Sequence, residues 1–260
     1  MIDQSARGEL KNKIALITGA GSGIGRETAR VFVREGAVVA LADRNLGAAE
    51  ETLAQIEADG GRGIALLMDV TDAATVAAGV ARCVEDFGRL DVAFNNAGLG
   101  TVEAGCAGQP LDEIEMESWS RLIATNLTGV WLCMKYELQV MKAQRSGVIA
   151  NMGSIAGMVG FAGTGAYVAS KHGVLGLTRT AALDYGAYGV RVNAVCAGRI
   201  ATPLIKTQMA TGSADLAQKT ALGRLGEAQE VAELVSWLAS DRSSYATGSA
   251  VVLDGGQTAG

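Results

Sequence analysis

The stretch Lys13-Ile14-Ala15-Leu16-Ile17-Thr18-Gly19-Ala20-Gly21-Ser22-Gly23-Ile24-Gly25 decides how the rest of the chain is read. Its first six residues form an apolar run without alternation, the pattern of a strand buried on both faces. Glycines then recur at every second position. From Ile24 the residues take helical spacing as far as Glu35, where Gly36 can end the helix. A glycine-rich turn between a strand and a helix lets the backbone turn tightly and come close to a pyrophosphate. The helix adds free N–H groups and the positive end of its dipole. That context, more than the glycines alone, points to a bound dinucleotide. No Gly-Lys-Ser/Thr follows, so the turn is not a P-loop.

Outward from this unit the same rhythm repeats. Val38–Ala42, Gly63–Met68, Leu90–Asn95, Gly147–Met152, Val190–Cys196 and Ala250–Leu253 read as strands. Leu46–Ala58, Asp72–Phe87, Ser118–Ala143, Gly165–Tyr185 and Glu227–Ala239 read as helices. Apolar strands separated by helices predict a doubly wound α/β fold, a parallel sheet with helices on both faces. Its ligands bind beyond the carboxyl ends of the strands. No linker, repeat or low-complexity tract interrupts the pattern, so residues 1–260 read as one dinucleotide-binding and catalytic domain.

Composition narrows the function classes. The 260 residues are 49% hydrophobic and 19% charged, enough for one buried core, and the net charge of −5 leaves no electrostatic footprint for nucleic acid or an anionic membrane surface. The uncharged stretch Gly147–Ser170 contains Gly153-x-x-x-Gly157. It is too rich in Gly, Ser, Thr and Asn for a membrane helix, and a strand, loop and helix start explain it better. Cys83, Cys106, Cys133 and Cys196 are scattered, and His172 is the single histidine. No metal site is expected. Unpaired thiols and the absence of a signal pattern suggest a reducing, cytoplasmic setting.

Five further positions carry chemistry. Asp43, at the end of the second strand, has the place of an acid that accepts hydrogen bonds from both ribose hydroxyls. It would repel a 2′-phosphate and so favours NAD over NADP, although Arg44 could reach such a phosphate. Tyr167 and Lys171, four apart on one helical face, form a candidate acid–base pair, in which a nearby ammonium lowers a phenol pKa of about 10. Ser154 follows a buried strand and would point its hydroxyl into the site. Asn126 sits mid-helix, where an asparagine needs a use for its amide or bends the helix. His172 points about 100° away from Lys171 and reads as structural or exposed.

At this point the chain resembles the short-chain dehydrogenases/reductases, in their single-domain branch. The resemblance runs from about Leu10 to Gly256. It rests on Thr18–Gly25 (TGAGSGIG), Asp69-Val70, Asn95-Asn96-Ala97-Gly98 (NNAG), Asn126, Ser154, Tyr167-Val168-Ala169-Ser170-Lys171 (YVASK) and Asp254-Gly255-Gly256. It implies a Rossmann-like sheet of seven strands and an Asn126–Ser154–Tyr167–Lys171 tetrad. Tyr167 would be the general acid or base and Ser154 the holder of the substrate oxygen. Lys171 would bind the nicotinamide ribose and lower the tyrosine pKa, and Asn126 would hold a water of a proton relay. For the cofactor it implies Gly19, Gly21, Ser22, Gly23, Ile24 and Gly25 at the pyrophosphate and Asp43 at the ribose. Asp69 and Val70 would lie at the adenine, Asn96, Ala97 and Gly98 along the adenosine ribose and neighbouring backbone, Tyr167 and Lys171 at the cofactor as well as the substrate, and Ile200 and Thr202 at the nicotinamide amide and phosphates. One departure is visible: Ala197-Gly198 stands where the family usually has Pro-Gly, which frees φ and adds an N–H.

The segment 203–220 is expected to form a lid over the substrate, with Leu204, Ile205 and Met209 apolar; Leu99, Ile155 and Phe161 could add walls. Such a pocket suits a hydrophobic or cyclic alcohol or ketone, or these residues simply pack the lid. Arg199 is read as a surface arginine, or as a partner for a substrate carboxylate. The reading is an NAD(H)-dependent oxidoreductase interconverting a secondary alcohol and a ketone by hydride transfer. Alternatives are a 3-oxoacyl thioester reductase of the same family and a non-catalytic NAD-binding regulator. The resemblance also implies a homotetramer built on the Ser118–Ala143 and Tyr167 helices.

Overall fold

The computed structural model describes residues 8–203, 205 and 217–260. In chain order the main elements are β1 (Ile14–Thr18), α1 (Gly23–Arg34), β2 (Val38–Asp43), α2 (Leu46–Ala58), β3 (Gly63–Leu67), α3 (Ala73–Phe87) and β4 (Val92–Asn95). A short α4 (Thr101–Ala104) precedes α5 (Met116–Ile123) and α6 (Gly129–Gln144). Then come β5 (Gly147–Met152), α7 (Gly165–Tyr185), β6 (Val190–Ala197), β7 (Ile200–Ala201), β8 (Gly226–Glu227), α8 (Ala228–Ala239) and β9 (Ala250–Leu253).

Seven of the strands form one parallel sheet in the order β3-β2-β1-β4-β5-β6-β9. Chain direction across the sheet reverses between β1 and β4, which opens a crevice at their carboxyl ends. Successive residues of each strand face opposite sides. Leu16, Ala40 and Ala93 meet Val76, Val80, Met134, Leu138 and Val174 from α3, α6 and α7. Ala15, Ile17, Val39 and Leu41 meet Ala29, Phe32, Ile56, Val231 and Val235 from α1, α2 and α8. Both faces are therefore dry, which is why the strands read as continuous apolar runs.

Local signals set the helix ends. The Asn45 side chain accepts from Ala48 N at the start of α2, and Asp72 accepts from Ala74 N at the start of α3. Gly88, with φ of 80°, closes α3 in the left-handed conformation. The strands and most helices fall within two residues of their expected bounds. The helix expected over Ser118–Ala143 differs: it starts at Met116, and Ala124–Thr128 forms one π turn between α5 and α6 with Asn126 at its centre. α4 and the β7–β8 pair are too short to carry a periodic signal.

Candidate active site

A cleft of about 750 Å³ opens over the β1–β4 switch point. Its walls include Gly19, Gly21, Ser22, Gly23 and Ile24 from the first turn, Asp43 and Arg44 after β2, and Asp69 and Val70 after β3. Asn96, Ala97, Gly98 and Leu99 follow β4, and Met152, Gly153, Tyr167, Lys171 and Thr202 complete the far end. One cavity thus joins the glycine turn, Asp43 and the Tyr–Lys pair.

The turn is held by contacts that the sequence did not signal. Thr18 Oγ1 accepts from Asn96 N and Ala97 N, each at 3.0 Å. Asn96 Nδ2 donates to Thr18 O at 3.0 Å and Gly19 O at 3.2 Å, so Asn96 staples the end of β4 to the turn. Arg26 Nη2 donates to Gly21 O at 2.6 Å, and Thr52 Oγ1 donates to Ala20 O at 3.0 Å. Two glycines are dictated by space. A Cβ on Gly25 would collide with the Gly19 carbonyl, and one on Gly21 would stand 2.6 Å from Ala48 Cβ and 2.8 Å from Asp43 Oδ2. This backbone-lined cradle at a helix N-terminus fits a dinucleotide pyrophosphate. Asp69 is fixed by Thr71, whose N and Oγ1 donate to Oδ1 at 2.9 and 2.7 Å.

At the chemical end, Lys171 is 3% exposed and its Nζ donates to Met152 O at 2.8 Å. It lies 5.7 Å from the centroid of the Tyr167 ring. Burial lowers the Lys171 pKa to about 8. The phenol of Tyr167 shifts upward, opposite to the expectation from Tyr–Lys spacing. Burial is the largest cause, a hydrogen-bonding Ser154 opposes it, and the Glu103 carboxylate adds to it. Helical spacing showed the lysine one turn away but not the burial of the ring between α7 and its neighbours. Ser154 Oγ accepts from Ala156 N at 3.1 Å, which leaves its own proton to donate.

Asn126 is fully buried and pairs reciprocally with Leu99: Leu99 N donates to its Oδ1 at 2.8 Å and its Nδ2 donates to Leu99 O at 2.9 Å. Its amide therefore ties the π turn to the loop after β4. Neither Ser154 nor Asn126 is among the residues named above as lining this cleft.

Other positions depart from expectation. The Ile200 side chain is 5% exposed, packs into the α1/α2/α8 core and does not line the cleft. It lines a separate cavity of about 70 Å³ together with Arg199, whose Nε is buried without a partner and whose pKa burial lowers. Arg199 is half-buried and does not line the cleft. Thr202 lines the cleft and its Oγ1 accepts from Ile205 N at 3.4 Å. Ile205 is buried, whereas Leu204 and Met209 lie outside the described residues. His172 is exposed and sets its Nδ1 3.0 Å from Val168 O. All four cysteines are free and buried. Among the described residues no cluster of three metal-ligating side chains occurs, and no helix is long and apolar enough to cross a membrane.

Comparison with known proteins agrees with this geometry. A family model described as Enoyl-(Acyl carrier protein) reductase matches residues 19–258. The chain is 42% identical over 251 residues to cyclohexanol dehydrogenase of Acinetobacter sp. (strain SE19), covering 96% of each chain. It is 43% identical over 247 residues to cis-4-hydroxycyclohexanecarboxylate dehydrogenase of Sinomonas cyclohexanicum, covering 95% of this chain and 97% of that one. The crystal structure of levodione reductase superposes with a TM-score of 0.91 at 36% identity, covering 96% of this chain and 98% of the other. Motif order, sheet order and near-complete coverage agree, and the chain belongs to the short-chain dehydrogenase/reductase family, whose dehydrogenases use a nicotinamide cofactor.

Proposed function

We propose that this protein interconverts a secondary alcohol on a cyclic, hydrophobic skeleton and the corresponding ketone, with NAD(H) preferred to NADP(H). The observation that carries the reading is that Tyr167 and Lys171 share one cleft with the glycine turn and Asp43. Two relatives named for cyclic alcohols support the substrate class.

The glycine turn would hold the pyrophosphate, Asp43 the adenosine ribose, and Lys171 the nicotinamide ribose. When bound, the nicotinamide supplies the site that accepts or returns the hydride. The side chains of this protein handle the oxygen and its proton. Ser154 donates to the substrate oxygen and fixes it against Tyr167. The phenol, whose pKa burial raises, serves as general acid in ketone reduction; as its phenolate it serves as general base in alcohol oxidation. Lys171, with a pKa near 8 and held by the Met152 carbonyl, can exchange a proton close to neutrality. Because the Asn126 amide is engaged by Leu99, its part in a relay would fall to its backbone carbonyl or to the remaining amide hydrogen. Ile200 would act on the nicotinamide amide through its backbone, since its side chain faces the core.

Two further features complete the reading; most of the segment 203–220 expected as a lid lies outside the described residues. Exposed Trp119 and Trp131 on α5 and α6, and Leu183 on α7, supply apolar surface for a homotetramer. Four unpaired, buried thiols suit a cytoplasmic setting.

The test is initial-rate measurement of NADH and NADPH oxidation with cyclic, aromatic and 3-oxoacyl ketones. Turnover with NADH on cyclic ketones is expected. Turnover confined to NADPH and 3-oxoacyl substrates would replace this reading with thioester reduction, and tight NADH binding without any turnover would favour a regulator.

A further inference from the structure

Beside the glycine turn a chain of hydrogen bonds runs from a guanidinium to the carboxylate of Asp43. Arg26 on α1 donates from Nε to Thr52 Oγ1 at 3.0 Å, from Nη2 to Gly21 O at 2.6 Å and from Nη1 to Glu51 Oε1 at 3.2 Å. Thr52 on α2 is fully buried, and its hydroxyl proton reaches Ala20 O at 3.0 Å, with Ala48 O of its own helix at 3.1 Å. Ala20 O and Gly21 N belong to one planar peptide group. Its carbonyl accepts from Thr52, and its N–H donates to Asp43 Oδ2 at 3.0 Å. That peptide is therefore gripped at both ends, by α2 and by the end of β2. Neither Arg26 nor Thr52 is among the cleft-lining residues, so what they do for a cofactor passes through the turn.

We propose that Arg26 and Thr52 are positioning residues for cofactor choice: by holding the Ala20–Gly21 peptide, they fix the Asp43 carboxylate in the orientation that accepts a ribose 2′-hydroxyl and turns away a 2′-phosphate. This role rests on the NAD(H) preference proposed above and names what maintains it.

The polarity of the chain runs one way. The cation donates to the Thr52 hydroxyl, the hydroxyl donates to the carbonyl, and the N–H of the same peptide donates to the carboxylate. Each bond makes the next donor stronger. Asp43 gives Oδ2 to Gly21 N and Oδ1 to Asn45 N, which leaves one lone pair on each oxygen for the two ribose hydroxyls. Where the Oδ2 lone pair points depends on the Gly21 N–H, and so on the peptide that Thr52 holds. A second contact acts on both cofactors alike. The Gly21 carbonyl is drawn to Arg26, so the N–H of the same trans peptide, that of Ser22, points the opposite way. The diphosphate is common to NADH and NADPH, whereas the 2′ group is not. Damage to the turn alone therefore weakens both equally, and loss of Asp43 orientation weakens NADH more.

The experiment measures Kd for NADH and NADPH by fluorescence titration in the wild type, Thr52→Val, Thr52→Ser, Arg26→Ala, Asp43→Ser and the double variant Asp43→Ser/Thr52→Val. The quantity read is the ratio of the NADPH Kd to the NADH Kd within each protein, so a general loss of affinity cancels. Thr52→Val keeps the branched shape and the net charge and cuts the chain at its middle; Thr52→Ser restores the hydroxyl. Thr52→Val is expected to lower the ratio by about threefold or more, and Thr52→Ser to keep it near the wild-type value. In the Asp43→Ser background Thr52→Val is expected to change the ratio no further, because the carboxylate it acts on is gone. Arg26→Ala, at a half-buried site, is expected to weaken both cofactors and to lower the ratio as well, and it serves as the test if Thr52→Val does not fold. A wild type that prefers NADH, with the ratio unchanged in Thr52→Val and Arg26→Ala, would overturn this role and leave the NAD(H) preference standing. A fall in the ratio that persists in the Asp43→Ser background would also overturn it, since the effect would not pass through Asp43. A wild type that binds NADPH as tightly as NADH would overturn the NAD(H) preference and this inference with it.

Discussion

Asp43 Oδ2 accepts a hydrogen bond from Gly21 N at 3.0 Å, and its Oδ1 accepts from Asn45 N at 2.9 Å. The acid at the end of β2 and the glycine turn after β1, 22 residues apart in sequence, are thus one unit. The carboxylate is oriented before any ribose arrives, which lowers the ordering cost of binding.

Replacement of Asp43 therefore acts on cofactor choice and on the turn together. Asp43→Ser removes the charge that would repel a 2′-phosphate and shortens the side chain out of reach of Gly21. NADH affinity is expected to fall by about tenfold or more while NADPH affinity falls less or rises, as Arg44 stands beside it. Fluorescence titration with both cofactors measures the ratio; an unchanged preference would refute the role given to Asp43.

Asn126→Ala removes both bonds that tie the π turn to Leu99 and leaves the Leu99 N–H and carbonyl without partners. A loss of about 1–3 kcal/mol is expected in the denaturant midpoint, together with reduced turnover, because Leu99 lines the cleft. Stability within about 0.5 kcal/mol of the wild type would show that the reciprocal pair is not needed to hold the segment.

Much of this site was legible in the chain because its parts follow strand ends in a fixed order. The glycine turn, Asp43, Asn96, Tyr167 and Lys171 all reach one cleft, as a doubly wound sheet requires. What could not be read depends on contacts between distant segments. Asn126 looked like an asparagine misplaced in a helix; only the π turn and its Leu99 partner explain it. The direction of the Tyr167 shift depends on burial, to which spacing is blind. Ile200 lies two residues before Thr202, yet its side chain packs into the core while Thr202 lines the cleft. Thr52 belongs to no motif, and its bond to the Ala20 carbonyl appears only when α2 is in place.

The fully buried Glu137 gives a prediction about stability and pH. Asn95 Nδ2 donates to Glu137 Oε2 at 3.0 Å and to Asn151 Oδ1 at 3.0 Å, while Glu137 Oε1 and Asn95 Oδ1 have no partners. A proton on Glu137 removes a buried charge that the Asn95 bond offsets only in part. Burial raises this carboxyl to about 7, with the Asn95 bond opposing; the nearby thiols Cys133 and Cys83 are raised as well and stay neutral. A raised folded pKa means the native state keeps a proton that the unfolded chain has released. This contribution is fully present below the unfolded pKa and is lost as pH rises through about 7. The wild type is therefore expected to lose on the order of 3 kcal/mol between pH 4 and pH 8.5 from this group. Glu137→Gln, which mimics the protonated acid, is expected to lack that loss and to exceed the wild type at pH 8.5. Urea midpoints at both pH values check it; a variant much less stable than the wild type at pH 8.5 would mean that the ionised carboxylate is the supported form.

The most direct test of the central claim is NAD⁺-dependent oxidation of a cyclic secondary alcohol by the wild type and by Tyr167→Phe, with NADH affinity measured for both. The expected result is a fall in kcat/KM of about 10²–10⁴-fold with NADH affinity nearly unchanged, because the phenol handles only the substrate proton. Turnover by Tyr167→Phe close to that of the wild type would contradict the account, and the acid–base role would have to pass to another group.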